Sequence, residues 1–344
     1  MKTQTLKSQL KSSVLEVGAL TLGLLLFGHY QGVVYGHPAV TPLEAIQKGD
    51  SGTLRALLDQ GVNPNTKDEA GTPLLMQAVL YADAEMIGVL LSRGADPNTT
   101  NAAGATALIW AAGDPQKATL LIKAGANVNA RSVLGRTALQ TASATDGAGD
   151  VVRQLLVKGA DTKVHDELKG NPKLMTGGGS APVIVEAAKA RDGHALRLLL
   201  SAPDVDVNAK DANGGTALTE ALVQGNRENV RRLLAAGASV NQSVSYGRFT
   251  PLILAAMRGD ALEIALMIDA GADVNAPDAA GNTPLMWAAY AADSGPSVAV
   301  DYLLRAGADV SAANRKGETA LTMARWHGKT RAVQQLMRST SGGE

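Results

Sequence analysis

The sequence contains no cysteine, and this absence excludes several kinds of site at once. A chain without cysteine has no disulfide bonds, no thiolate ligands for metals, no attachment point for c-type haem and no cysteine nucleophile. The absence is compatible with any compartment, and in an oxidising one it prevents the mispairing of thiols.

Aromatic residues are scarce, and neither sign of charge is in excess. Lys plus Arg and Asp plus Glu number 32 each, so the formal net charge is zero. Proteins that bind nucleic acid through its phosphates carry a basic surplus or a basic run, so we expect no nucleic-acid partner. Aromatic residues make up only 3% of the chain. Large globular cores usually depend on them, whereas stacked helix pairs can fill a core with Leu, Ala and Val.

An apolar run near the N-terminus has the layout of an export signal. Residues 17–28, VGALTLGLLLFG, follow lysines at positions 2, 7 and 11, as in a secretory signal peptide. The run is shorter than the roughly 20 residues of a membrane span. We therefore interpret residues 1–36 as a signal peptide with a cleavage site after Gly36, or alternatively as an uncleaved N-terminal anchor.

Both interpretations place the remainder of the chain outside the cytoplasm. With cleavage we expect a periplasmic or secreted protein, most simply a bacterial one. Without cleavage, residues 14–34 anchor the chain in the inner membrane and provide its only membrane contact.

Beyond residue 40 the chain repeats two phrases in register. The first phrase, as in GATALIWAA and GNTPLMWAA, has its leading position at residues 41, 72, 106, 137, 182, 216, 250, 283 and 319. The second phrase combines Gly with Asp or Asn, as in GADPN from Gly94 and GADVN from Gly271. Successive copies lie about 33 residues apart, except that the step from 137 to 182 spans 45 residues.

Each part of the pattern has a physical reason. A leading Thr can cap a first helix with its hydroxyl, and Pro suits the first helical turn. The Gly that follows a second helix can adopt the left-handed conformation that ends it. Asp, Asn and the next Gly favour tight turns, which predicts a hairpin-like connection to the next copy.

These two phrases resemble the ankyrin repeat family over residues 39–340. The resemblance implies an all-α solenoid of about nine helix-turn-helix units, with hairpin-like finger loops and a concave face made of fingers and first helices. The last copy has the polar outer helix of a capping repeat, and we expect residues 341–344 to be a disordered tail. The family pattern contains no catalytic residues, so none are implied here.

The sequence departs from the pattern most at residues 166–182, which are polar and rich in Gly. We interpret this segment as a tolerated loop insertion. Two alternatives remain open at this point. The segment forms a lid over the concave face, or it marks a break between two half-arrays.

The sequence contains no motif that selects a catalytic or metal-binding site. The sequence lacks G-x-S-x-G, H-E-x-x-H and a Walker loop. Of its five His residues, His194 and His327 lie in inter-helix turns, where family members often carry a Gly–His pair. We therefore expect no enzyme activity, no cofactor and no metal.

Partner contacts are expected at the ends of the first helices and at the finger tips, with the C-terminal copies favoured. Exposed Tyr, Trp and Arg are the residues that most often anchor interfaces. We assign the partner-binding face to Val79, Leu80, Tyr81, Tyr246, Arg248, Met257, Arg258, Tyr290, Arg325 and Trp326. Trp110 and Trp287 are left out because their position in the helix predicts burial in the core.

The sequence thus predicts a monomeric, non-catalytic protein-interaction scaffold in the cell envelope. Through its concave face it would tether, inhibit or protect another protein. The alternative is a small-molecule or glycan binder in which the 166–182 loop closes over a cleft, and a pocket lined by convergent polar groups would favour it.

Overall fold

The structure, a computed structural model, describes residues 40–163, 181–245, 247–291 and 297–341. The predicted export segment or anchor, residues 1–36, and most of the 166–182 insertion lie outside the described residues. Within them, no helix is both long enough and apolar enough to cross a bilayer.

Helices occur in nine pairs along the described chain, which has no β-strand. The first helices of the pairs are α1 Pro42–Lys48, α3 Leu74–Tyr81, α5 Ala107–Ala111, α7 Ala138–Ser143, α9 Val183–Lys189, α11 Ala217–Gln224, α13 Pro251–Arg258, α15 Pro284–Ala291 and α17 Ala320–Trp326. The second helices are α2 Ser51–Asp59, α4 Ala84–Ser92, α6 Pro115–Lys123, α8 Gly149–Val157, α10 His194–Leu200, α12 Arg227–Ala235, α14 Ala261–Asp269, α16 Val298–Arg305 and α18 Thr330–Ser341. The predicted all-α array of nine helix-turn-helix units is confirmed.

A threonine hydroxyl caps seven of the nine first helices, as predicted. In each, the side chain accepts a hydrogen bond from the backbone N–H three residues on. The capping residues are Thr41, Thr106, Thr137, Thr216, Thr250, Thr283 and Thr319. In the second repeat the prediction is wrong, because α3 begins after Pro73, which cannot accept such a bond. Thr72 follows Gly71 directly, so the phrase is shifted by one residue there.

Within the described residues the connections between repeats are hairpin-like fingers, as predicted, and each is numbered by the repeat that it leads into. The connection between repeats 4 and 5 lies mostly outside the described residues. In finger 2 the Asp68 N–H donates to the Thr72 carbonyl over 3.0 Å. Consecutive fingers also bond to each other. The Ala279 N–H donates to the Gly247 carbonyl over 2.8 Å, and the Arg315 N–H donates to the Ala280 carbonyl over 3.0 Å. The C-terminal fingers therefore form one continuous row.

An asparagine clamp joins the second phrases of successive repeats. The Asn98 side-chain amide donates to the Gly125 carbonyl over 3.3 Å, and its Oδ1 accepts from the Asn127 N–H over 2.7 Å. The same two bonds, each to the next repeat, are made by Asn65, Asn98, Asn129, Asn208, Asn241 and Asn275. Each clamp fixes the register of one unit on the next.

The series of clamps is interrupted between repeats 4 and 5, where Lys163 replaces the asparagine. Other contacts bridge this junction. The Arg191 N–H donates to the Asp146 carboxylate over 2.6 Å, and the Gln140 side chain donates to the Ala181 carbonyl over 2.7 Å. Residues from Val40 onward form one compact unit. The alternative of two separate half-arrays is therefore wrong.

The structure moves two predicted boundaries, the C-terminal end of the 166–182 insertion and the start of the tail. Ala181 is buried and Pro182 is the N-cap of α9. These two residues therefore belong to repeat 5 rather than to the 166–182 loop. At the C-terminus, α18 extends through Ser341, the first residue of the predicted tail 341–344.

Aliphatic side chains fill the core, as the composition predicts. The largest fully buried residues are all Leu, Ile or Met, and the buried set among the described residues includes no Phe, Tyr or Trp. Small alanines such as Ala111 and Ala288 let neighbouring first helices approach closely.

We predict that Asn98→Ala lowers the free energy of unfolding by about 1–2 kcal/mol, because it removes two hydrogen bonds worth about 1 kcal/mol each. Urea unfolding followed by circular dichroism measures the change. Asn63→Ala is the control, because the Asn63 side chain accepts only from Asn65 of its own repeat. Equal losses in the two variants would contradict the clamp.

Candidate functional site

The seventh residue after each N-cap lies at the exposed end of a first helix. It lies on the same side of the helix as the fourth residue after the cap. Buried positions such as Leu285 and Ala288 lie on another side of the helix. In repeats 6 to 9 this seventh residue is apolar. We call Val223, Met257, Tyr290 and Trp326 the apolar strip.

Three of the four strip side chains are exposed, and the fourth, Tyr290, is half-buried. Val223 is 42% exposed, Met257 38% and Trp326 86%. Repeats 3 to 5 have Gly113, Ala144 and Lys189 at the same position. The strip is therefore confined to the C-terminal repeats, with Leu80 as an isolated counterpart in repeat 2.

A chain of ring contacts links the strip to the fingers. Phe249 at the base of finger 7 meets Trp287 edge-to-face with centroids 6.1 Å apart. Trp287 meets Tyr290 at 5.9 Å, and Tyr290 meets His327 of the last repeat at 4.6 Å. Such edge-to-face pairs hold rings in defined positions.

Trp287 is oriented by a buried carboxylate. Its indole Nε1 donates to Asp278 Oδ2 over 3.0 Å, and Asp278 also accepts from the backbone N–H of Asn282. Asp278 is 6% exposed. The prediction that Trp287 and Trp110 are core residues is wrong in part, because both are only half-buried, beside the core.

The shift of one residue in repeat 2 changes which of the predicted site residues Val79, Leu80 and Tyr81 correspond to the strip position. Val79 is only 6% exposed, so its assignment to the partner-binding face is wrong. It corresponds to the buried Ala289 of repeat 8. Leu80 and Tyr81 are 51% and 47% exposed. Leu80 occupies the position that corresponds to the strip.

The remaining predicted residues are in the C-terminal half. Tyr246 lies outside the described residues. Arg248 is exposed, with a φ of 52°. Arg325 is exposed on the last repeat, where its guanidinium lies 3.7 Å from the Met337 sulfur.

Arg258 connects repeat 7 to repeat 6 beside the strip. Its guanidinium donates to the Val223 carbonyl over 3.3 Å, and its Nε lies 3.6 Å from the Glu263 carboxylate. Glu263 is fully buried, and neither of its carboxylate oxygens has a hydrogen-bond partner. Arg258 is therefore held in place by a carboxylate that is itself poorly solvated.

The pKa values of two neighbouring carboxyl groups, Glu263 and Asp260, are shifted in opposite directions. Burial raises the pKa of Glu263, and the charge of Asp260 adds to the effect, while Arg258 and Arg227 oppose it. Partial burial also tends to raise the pKa of Asp260. The hydrogen bond from Arg227, at 2.8 Å, and those from backbone N–H groups outweigh it, so this pKa is lowered.

Two residues of this surface were missed by sequence reasoning. Val223 occupies the strip position of repeat 6, and counting seven residues from Thr216 would have found it. Trp287 lies three residues before Tyr290, a spacing that places both on one side of a helix. This three-residue spacing is the sequence signal by which Trp287 could have been assigned to the same surface as Tyr290.

Two features of the described residues bear on a metal or small-molecule site. No cluster of three or more His, Asp or Glu side chains among them could hold a metal ion. A shallow polar depression of about 320 Å³ lies on the second helices, lined by Arg55, Glu85, Ser92 and Arg93 among others. It is far from the 166–182 segment in sequence, and its side chains are engaged in ion pairs.

We predict that the free energy of unfolding of the wild type falls as pH rises through the folded pKa of Glu263, and that Glu263→Gln abolishes this part of the fall. A buried carboxyl with a raised pKa binds its proton more tightly in the folded state. It therefore contributes stability below its ordinary pKa of about 4.5, and this contribution is lost as pH rises through the folded value.

Urea midpoints at pH 4.5 to 8 measure the effect. The free energy of unfolding of the Glu263→Gln variant, relative to that of the wild type, should increase from the acidic to the alkaline end of this range. Glu220→Gln, a change in a half-exposed carboxyl of repeat 6, is the control. Parallel pH profiles for the wild type and Glu263→Gln would contradict the assignment.

Comparison with known proteins identifies several relatives. The chain is 35% identical to the NF-kappa-B p105 subunit of Gallus gallus over 154 residues, covering 44% of this chain and 15% of that protein. It is 33% identical to the mitochondrial disaggregase of Bos taurus over 146 residues, covering 41% and 19%. It is 34% identical to the human ankyrin repeat domain-containing protein 63 over 123 residues, covering 34% and 32%.

The chain thus spans less than a third of the length of each of these relatives. A family model described as ankyrin repeats (3 copies) matches residues 42–132, 75–166 and 244–314, more than half of the chain. Ankyrin repeats generally mediate protein–protein interaction rather than catalysis. Its described residues form nine helix pairs, and the chain belongs to the ankyrin repeat family.

Proposed function

We propose that this chain is a non-catalytic scaffold that binds another protein through the apolar strip and the adjoining fingers. The strip is the observation that carries the proposal. Val223, Met257 and Trp326 expose apolar surface at the same helix position in repeats 6, 7 and 9. Exposed apolar residues grouped in this way mark interaction sites, and Trp and Tyr are frequent anchors.

The finger side of the strip supplies the fixed groups that a specific interface needs. Trp287 is held by Asp278, and Arg258 is held by Glu263 and the Val223 carbonyl. Side chains that are already ordered lose less entropy when a partner binds. This favours a defined docking surface over scattered exposed residues.

We further propose that the scaffold acts in the cell envelope, where it tethers, inhibits or protects its partner. The order of lysines and apolar residues in positions 1–36 supports export. The proposed location is the periplasm or the exterior, with the repeats outside the cytoplasm if residues 14–34 remain as an anchor.

The partner-binding prediction compares two triple variants of the full chain. The strip variant carries Met257→Ser, Tyr290→Ser and Trp326→Ser. The control carries Leu262→Ser, Val298→Ser and Tyr302→Ser, which remove three comparably exposed apolar side chains from the second helices. After chemical cross-linking in an envelope extract, we expect the strip variant to recover at least tenfold less of one specific partner, and the control to recover it fully.

Circular dichroism and urea unfolding establish that both variants are folded. Equal recovery by the two variants would contradict the proposed surface. Loss of the partner with the control variant alone would place the interface on the second helices instead.

The export prediction is tested separately. Residues 1–40 fused to alkaline phosphatase, which is active only after export and disulfide formation, should give activity in a bacterial host. Replacing Leu24, Leu25 and Leu26 with Asp in the fusion should abolish the activity, because it breaks the apolar run. An inactive unmodified fusion would contradict export, whatever the binding experiment shows.

A further inference from the structure

Three cations lie at the tips of fingers 7 and 9, which belong to repeats that carry the apolar strip. They are Arg248 of finger 7 and Arg315 and Lys316 of finger 9, and all three are exposed. Among the described residues, none of these side chains forms an ion pair. The interfinger hydrogen bonds of Ala279 and Arg315 place fingers 7, 8 and 9 in one row.

The carboxylates of the same fingers are already occupied. Asp278 accepts from the Trp287 indole and from the amide of Asn282. Glu318 accepts from the Asn314 side chain over 2.8 Å. These carboxylates already accept hydrogen bonds from neighbouring side chains, whereas the three cationic side chains are exposed to solvent.

The cations of fingers 2 and 4 have protein partners instead, whereas Lys210 of finger 6 is exposed and forms no ion pair among the described residues. Arg131 pairs with Asp161 at 3.3 Å, and Arg136 lies 3.9 Å from the buried Glu186. The Lys67 ammonium donates to the Thr100 carbonyl over 2.9 Å. Unpaired finger cations therefore coincide with the repeats that carry the apolar strip.

The ring contacts connect finger 7 to the strip. Phe249 follows Arg248 directly, and its ring contacts Trp287, which in turn contacts Tyr290 of the strip. A ligand that covers this surface meets apolar side chains along the helix ends and positive charge along the fingers. With repeats about 8–10 Å apart, the strip extends over roughly 25–30 Å.

We propose that this composite surface binds an acidic amphipathic segment of the partner protein. This inference rests on the proposed function and specifies the chemistry of the partner. Apolar side chains of the segment pack on Met257, Tyr290 and Trp326, while its carboxylates pair with the finger cations. A helix of about 18 residues has the required length at 1.5 Å per residue, and amphipathic helices commonly dock by their apolar face.

The test uses random peptides of about 18 residues, displayed on phage and panned against the immobilised full chain. Enriched peptides should be rich in Asp and Glu together with Leu, Phe or Trp. Against Arg248→Glu, Arg315→Glu and Lys316→Glu combined, the enriched peptides should instead be basic. The matched control carries Lys123→Glu, Lys158→Glu and Arg197→Glu on the second-helix side, and it should still select acidic peptides.

An enriched acidic peptide, labelled with fluorescein, then gives the affinity by anisotropy. We expect at least a tenfold weaker Kd for the finger-charge variant and for the strip variant, and no change for the control. Neutral or basic enriched peptides, no enrichment at all, or the same selection by all variants would overturn the proposal. Equally effective displacement by a 20-nucleotide single-stranded DNA would also overturn it, because the surface would then bind polyanions in general.

The two levels of the proposal fail separately. If the cellular partner depends on the strip but selected peptides are not acidic, the scaffold function stands and the acidic segment is excluded. If the partner is recovered equally by the strip variant, both are excluded.

Discussion

A single helix pair of this chain cannot bury its apolar side alone, so each repeat is stable only when the next repeat covers it. Every unit meets its neighbour through the same core positions, such as Leu108 and Ala111 in repeat 3 or Leu285 and Ala288 in repeat 8. This constraint gives all first helices the same rotation. As a result, the seventh residue after the N-cap is at least partly exposed in all nine first helices, and its chemistry is not determined by the core.

The asparagine clamps fix the register of this stacking. Each asparagine bonds to the carbonyl and the amide of the next second phrase, so it fixes the fingers and helix ends relative to one another. The clamp is absent at Lys163, yet the core continues across that junction. Packing and other hydrogen bonds therefore maintain continuity at this junction, while elsewhere the clamps fix the register that aligns exposed side chains into rows.

Much of the architecture could be predicted because capping and turn formation are local. Thr hydroxyls and turn-forming glycines act within a few residues, so the sequence pattern identifies them directly. The error at Val79 arose because Gly71-Thr72-Pro73 lacks the residue that separates Gly from Thr elsewhere. A shift of one residue moved a buried side chain to the predicted surface.

The parts of the site that could not be predicted depend on contacts between repeats. Trp287 is half-exposed because Asp278 of its finger holds the indole and Phe249 and Tyr290 contact its ring. The buried Glu263 and the Arg258 held beside it likewise involve neighbours distant in sequence. Periodicity does not report such contacts, because it places a residue on a helix but not against its partners.

The central claim, that the strip is the contact surface, is tested most directly by site-specific photo-cross-linking in cells. Benzoylphenylalanine is introduced singly at Val223 and Trp326, the two ends of the strip, and at Leu262 and Tyr302 on the second helices. The account predicts that ultraviolet light yields the same protein adduct from both strip positions and none from the other two. An adduct from the second-helix positions, with none from the strip, would contradict it.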